Sequence, residues 1–176
     1  GVFELYQIKG KHIITVATEH KAVLDVCKSL EGKGAQVTYL PVDDTGLIDL
    51  KELEAAITPE TILVCVMMAN NETGVIQPIE AIGKICKAKG VLFMSDITQA
   101  TGKLPVDVQA LGIDIAPLSA HKIYGPKGVG AIYLRRRGPR VKLAPLIEGG
   151  GHENGLRSGT LNVPGIVGLG LASELA

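Results

Sequence analysis

The feature that most constrains this chain is an alternation. Short β-branched apolar runs take turns with stretches whose apolar residues recur at helical spacing. HIITVA (12–17) reads as a strand, and HKAVLDVCKSLEGKG carries Ala22, Val23, Val26, Cys27 and Leu30 on one helical face. Thr18 stands where a helix N-cap is expected, and Gly32 and Gly34 end the helix. QVTYLPV (36–42) is strand-like, DDTG (43–46) a turn, and 50–57 a short helix stopped before Pro59. TILVCVMM (61–68) reads as a buried strand, and Pro78 suits the first turn of a helix running to about 88. Further strands are predicted over 91–97, 113–120 and 130–135, and Pro164 opens a last helix. The first residues resemble the end of a helix entered partway. This order implies βαβ crossovers and an α/β fold: three layers, with a mostly parallel sheet flanked by helices.

Composition agrees. Hydrophobic residues make up 46% and aromatics only 3%, so the apolar mass is aliphatic, as in sheets buried on both faces. With 18 basic and 18 acidic side chains, the chain carries no electrostatic footprint for nucleic acid or an anionic membrane. The longest apolar run, 62–69, is far short of the roughly 20 residues a membrane-spanning helix needs. No signal peptide is read at the N-terminus. Cys27, Cys65 and Cys86 are widely spaced, which argues against a disulfide framework or metal site. Reduced thiols in a cytoplasmic compartment, or an organelle matrix, are the simplest expectation.

In open α/β sheets, ligands bind at the carboxyl ends of the strands. Four polar clusters fall there: Thr18–His20, Asn70–Glu72, Asp96–Gln99 and Ser119–Lys122. Each has an ordinary reading and a chemical one. Lys122 is a solvated surface lysine, or an amine that forms an imine with an aldehyde once it is neutral. Ser119 and His121 beside it have the chemistry to hold a phosphate. The following GPKGVG lacks the Walker A spacing. Asp96 is a cap or surface acid, or a carboxylate that keeps a pyridine nitrogen protonated. His20 is a capping residue, or a flat ring stacked on a cofactor and able to move a proton. Asn70–Asn71 is a plain turn or an amide against a phenolic oxygen. The three cysteines read as structural thiols in helices and a strand.

Five runs in register, TEHKAVLD, NNETG, DITQATGK, SAHKIYGPKGVGA and GGGHENGLRSGT, resemble those of the cysteine desulfurases. These are fold-type I, class V aminotransferase-like enzymes that use pyridoxal 5'-phosphate (PLP). The resemblance spans essentially the whole chain and is closest to the group that serves iron–sulfur clusters and tRNA thiolation. It implies that Lys122 is the Schiff-base lysine and that His20 stacks over the PLP ring and moves protons. Asp96 would pair with the pyridine nitrogen, Asn71 and Gln99 would bond the phenolic oxygen, and Ser119 and His121 would hold the phosphate. Thr160 would reach the phosphate of a neighbouring subunit's cofactor, which implies a homodimer. L-cysteine is the implied substrate, alanine the product, and a sulfur-acceptor or scaffold protein for iron–sulfur clusters the partner. Selenocysteine lyase, class V aminotransferase and a non-catalytic scaffold are the alternatives.

Two residues depart from the family pattern. Ala120 replaces a usual glycine, and Ile97 replaces a usual alanine, adding bulk beside Asp96. Family members are longer at both ends. The chain is therefore expected to be one domain over 1–176, part of the PLP-binding large domain. The N-terminal segment, the small C-terminal domain and the nucleophilic cysteine loop would lie outside it.

Overall fold

The computed structural model describes residues 1–176. Helix α1 (Val2–Tyr6) leads into β1 (His12–Val16), α2 (Lys21–Glu31) and β2 (Gln36–Leu40). Then follow α3 (Leu50–Ala56), β3 (Thr61–Cys65), α4 (Ile79–Lys89) and β4 (Leu92–Met94). Strand β5 (Ile115–Ser119) runs into a 3₁₀ turn at Ala120–Ile123, then β6 (Gly130–Leu134), and α5 (Val163–Leu175) closes the chain. The six strands form one sheet in the order β2-β1-β3-β4-β5-β6. All neighbours are parallel except β5 and β6, which pair antiparallel from Ile115–Leu134 to Ser119–Gly130. The expected α/β fold with a mostly parallel sheet is therefore present.

Strand residues alternate sides, and the central strands β1, β3 and β4 are buried on both faces. Ile14, Val16, Val64, Val66 and Phe93 pack on one face with Leu53 of α3 and Ile79, Ile82 and Cys86 of α4. Ile13, Cys65, Leu92 and Ile115 pack on the other with Phe3 of α1 and Val23 and Cys27 of α2. Helix α4 sits close to the loop before β5. A Cβ built on Gly83 would come 2.1 Å from the Leu111 carbonyl oxygen. Helix α4 then ends on Gly90 in the left-handed region (φ 69°), a common helix stop.

At the far edge the sheet is held by one buried ion pair. Asp114 accepts the Phe93 amide at 2.9 Å, and Arg135 Nε lies 2.7 Å from the other carboxylate oxygen. Arg135 also donates to the Ile113 carbonyl at 2.9 Å. At the opposite end of β1, His12 is buried between Thr61 Oγ1 (2.7 Å) and Thr38 Oγ1 (2.8 Å), so one ring ties three strands. Helix α5 is apolar apart from Ser173 and Glu174 near its end. It buries Gly165 and Ala172 and leaves Val163, Ile166, Val167, Leu171 and Leu175 exposed.

Local details differ from expectation in two places. The N-cap of α2 is His20, whose Nδ1 accepts the Ala22 amide at 3.1 Å; Thr18 is not the cap. The chain turns at 17–19, with the Glu19 amide donating to the Val16 carbonyl, so the helix starts two residues later. Strand β4 is only three residues long, yet Ser95 and Ile97 still donate to the Ile115 and Pro117 carbonyls. The sheet-like pairing thus reaches the full length expected from the apolar run.

Candidate functional site

The parallel strands β1, β3, β4 and β5 all point the same way, so the loops after them meet at one edge of the sheet. A series of hydrogen bonds stitches these loops together. Asn70 Nδ2 donates to the Thr18 carbonyl at 2.8 Å, joining the β3 and β1 loops. The Met68 amide donates to the Asp96 carbonyl at 3.0 Å, joining β3 to β4. The Ile97 amide reaches the Pro117 carbonyl at 3.2 Å, joining β4 to β5. Lys103 Nζ spans the Gln99 and Lys122 carbonyls, each at 3.3 Å. Asp96, Gln99 and Lys122 are thus fixed to neighbouring segments of backbone. His20 is carried on the β1 loop and Asn71 on the β3 loop.

The side chains on this edge are largely unspent. Asp96 is part-buried, accepts the Thr98 amide on one oxygen at 2.8 Å, and takes part in no ion pair. Lys122 and His121 are exposed on the 3₁₀ turn that follows β5, and Ser119 is the last residue of that strand. Lys122, His121, Ser119, Asn71 and Gln99 make no side-chain hydrogen bond within the chain, and His20 uses only Nδ1. In kind, this set is a primary amine, a carboxylate, two primary amides, a hydroxyl and two imidazoles. That donor set suits an aldehyde-bearing, phosphorylated pyridine: amine for aldehyde, carboxylate for ring nitrogen, amide for phenol, hydroxyl and imidazole for phosphate. No group of three His, Cys, Asp or Glu side chains lies together as a metal site.

Thr160 lies apart from this stitching. It is exposed in the glycine-rich segment before α5, and its carbonyl faces Arg157 at 3.5 Å. Ala120, where the family pattern has glycine, is fully buried in the 3₁₀ turn and is not at positive φ, so its methyl meets no backbone strain. Ile97 is buried in the core cluster with Phe93 and Ala100, on the face that carries α3 and α4. The residue with positive φ near Lys122 is Tyr124 (φ 63°), fully exposed where the 3₁₀ turn ends. A non-glycine residue there is strained.

Two features escaped the sequence reading, and a third, the burial of the thiols, agrees with it. Asn70, not Asn71, is the structural amide: its Oδ1 caps Glu72 and Thr73 while Nδ2 holds the β1 loop. That leaves Asn71 free. Glu19 is buried beneath the edge, where its carboxylate accepts the Met67 amide. Burial pushes its pKa up to about 8, with the nearby Asp96 charge acting in the same direction and the Met67 amide opposing. The three thiols are all buried. Burial raises Cys27 to about 11 and Cys86 to about 12, and lifts Cys65 well above the ordinary thiol value.

Comparison with known proteins agrees with this geometry. The family description "Aminotransferase class-V" matches residues 3–176. The chain is 61% identical over all 176 residues to cysteine desulfurase IscS of Glaesserella parasuis serovar 5 (strain SH0165), of which it covers 43%. It is 58% identical, again over 43% of the relative, to cysteine desulfurase IscS of Rickettsia rickettsii (strain Iowa). It therefore spans less than half the length of these relatives. Among solved structures, "SspA in complex with cysteine" superposes with a TM-score of 0.93 at 45% identity, covering 99% of this chain and 50% of that one. A NifS-like protein superposes with a TM-score of 0.92 at 48% identity, covering 99% and 47%. With the strand-end edge and its donor set in place, and a family match running almost from end to end, the chain belongs to the aminotransferase class-V family of PLP-dependent enzymes.

Proposed function

We propose that this chain is part of the PLP-binding large domain of a cysteine desulfurase, which converts L-cysteine to L-alanine and passes the sulfur to an acceptor as a persulfide. The observation that carries this reading is the edge itself: four strand-end loops hydrogen-bonded side by side, bearing side chains that spend almost nothing on the fold. When bound, PLP supplies an electron-withdrawing ring that weakens bonds at the substrate's α and β carbons.

The chain's own residues have separable tasks. Lys122 would hold the cofactor's aldehyde through its amine, and the same amine could move a proton at the substrate's α carbon. His20 offers a ring for stacking; its Nδ1 is held by the Ala22 amide, so Nε2 is the atom free to exchange a proton. Asp96 offers the carboxylate oxygen that Thr98 leaves open, and a carboxylate there favours a protonated ring nitrogen. Asn71 and Gln99 would donate to the phenolic oxygen, and Ser119 and His121 would hold the phosphate. Thr160, exposed before α5, reaches a second subunit's phosphate in a homodimer. The exposed apolar side of α5 is consistent with a covered surface.

None of the three thiols here suits sulfur acceptance, because a thiolate is the nucleophile and burial disfavours it at all three. The accepting cysteine therefore belongs to a part of the protein outside this chain. L-cysteine as substrate, a scaffold protein for iron–sulfur clusters as acceptor, and a cytoplasmic or organelle-matrix setting complete the proposal.

The test is the purified full-length protein. It is expected to take up PLP with visible absorbance, to lose that absorbance in Lys122→Ala, and to release alanine from L-cysteine. A protein that takes up no added PLP refutes the cofactor reading. One that binds PLP but makes no alanine favours the scaffold reading. Turnover of selenocysteine with none of cysteine favours a selenocysteine lyase.

A further inference from the structure

Glu19 is the one buried carboxyl in the molecule without a cation. Asp114, the other buried acid, has Arg135 against it. Glu19 takes part in no ion pair. The groups that face it are Asp96 after β4, Cys65 of β3 and Cys27 of α2, together with the Met67 amide. An isolated buried carboxylate is costly enough that it takes up a proton instead. Nothing in the roles given above employs this group, yet it sits at the junction of three site segments. Its backbone precedes His20. Its carboxyl oxygen accepts the Met67 amide, and the next amide, Met68, holds the Asp96 carbonyl at 3.0 Å.

We propose that Glu19 is a positioning residue for the cofactor edge: its carboxyl clamps the β1 loop that carries His20 to the β3 loop that holds Asp96. The clamp works through one acceptor oxygen, so it needs an oxygen and not a charge. With burial raising its pKa to about 8, the carboxyl is largely uncharged at neutral pH and adds little negative charge beside Asp96. As pH rises through about 8, Glu19 ionises and adds a second negative charge beneath the same spot. This inference rests on the PLP reading above.

The experiment measures PLP affinity and visible absorbance in the full-length protein between pH 6.5 and 9, for wild type, Glu19→Gln and Glu19→Leu. Failure of the wild type to take up PLP refutes the cofactor reading and with it the clamp. The remaining outcomes concern Glu19 alone. Glu19→Gln keeps the acceptor oxygen and the neutral charge, so its dissociation constant at pH 7 should stay within about twofold of wild type. Glu19→Leu removes the acceptor and strands the Met67 amide, and should weaken PLP by roughly 10–100-fold, as for other supporting partners of a site. Wild type should gain affinity relative to Glu19→Gln as pH passes 8, because an ionised Glu19 attracts the cationic nitrogen and an amide does not. A purely structural role would leave that difference flat. Wild-type affinity in Glu19→Leu overturns the clamp, as does a loss in Glu19→Gln equal to that in Glu19→Leu. A pH-independent difference between wild type and Glu19→Gln overturns the charge argument even if Glu19→Leu fails to fold.

Discussion

Arg135→Met isolates what the buried ion pair at the sheet edge contributes. Methionine keeps much of the arginine's apolar stem, so the packing changes little. What changes is that Asp114, 6% exposed, loses the guanidinium 2.7 Å away. Burial already raises the Asp114 pKa from its ordinary value, against the opposing pull of the Phe93 amide and Arg135. Without Arg135 it rises further. The penalty has a ceiling, because the folded variant can always bind a proton. Holding Asp114 protonated costs about 1.36 kcal/mol for each pH unit above its unfolded pKa of about 3.9. That is at most about 4.2 kcal/mol at pH 7 and about 1.5 kcal/mol at pH 5. The lost bond to the Ile113 carbonyl adds about 1 kcal/mol at either pH.

The sign follows from proton counting. The folded variant binds the proton more tightly than the unfolded chain, so its deficit grows as pH rises from about 4. Equilibrium urea unfolding of wild type and variant at pH 5 and pH 7 reads the two differences directly. A second substitution, Asp114→Asn in the Arg135→Met background, should abolish the pH-dependent part. A deficit that is the same at both pH values, or one below about 1 kcal/mol at pH 7, would refute the reasoning, since it would mean that water already relieves the Asp114 charge.

Other perturbations test other parts of the fold. Gly83→Ala should destabilise by about 1–3 kcal/mol despite alanine's better helix propensity, because its Cβ would meet the Leu111 carbonyl oxygen; thermal unfolding checks this, and an unchanged midpoint counts against the close approach of α4. Burial lowers the pKa of His12, so its contribution to stability is present above the unfolded value of about 6.5 and fades as pH falls below it. The melting temperature of wild type should therefore drop between pH 6.5 and 5 by more than that of His12→Asn; parallel curves exclude the effect. Cys27, Cys65 and Cys86 should react with a thiol reagent at pH 8 only when denaturant is added, since each is buried with a raised pKa. Fast labelling of the native protein by even one equivalent would contradict that burial.

Much of the fold was legible in the sequence because each element carries its own local signal. The β-branched runs at 12–17 and 61–68, the helical spacing from Ala22 to Leu30, the proline start at Pro78 and the glycine stop at Gly32 each report on a few neighbouring residues. The polar clusters that contain Lys122, Asp96, His20 and Asn71 stood out for the same reason: each comes soon after an apolar run, and ligands bind at the carboxyl ends of such strands; the choice of Asn71 within its pair came from the family resemblance. The start of α2 was misplaced because Thr18 and His20 are both able to cap, and only the turn at Glu19 decides between them.

Tertiary structure decided what depends on residues far apart in the chain. The strand order, and the antiparallel seat of β6 beside β5, follow from packing across the whole sheet. The Asp114–Arg135 pair joins residues that no local pattern connects. Asn70 and Asn71 look equivalent in sequence, yet 52 residues separate Asn70 from the carbonyl that claims it. Glu19 reads as one polar residue in a polar cluster; only the approach of Met67, Cys65 and Asp96 buries it without a cation and raises its pKa. The sequence by itself determined which side chains stand at the strand ends, because periodicity is local. Folding alone determined which are consumed by the scaffold and which are left free for chemistry, because burial and partnership are properties of neighbours in space.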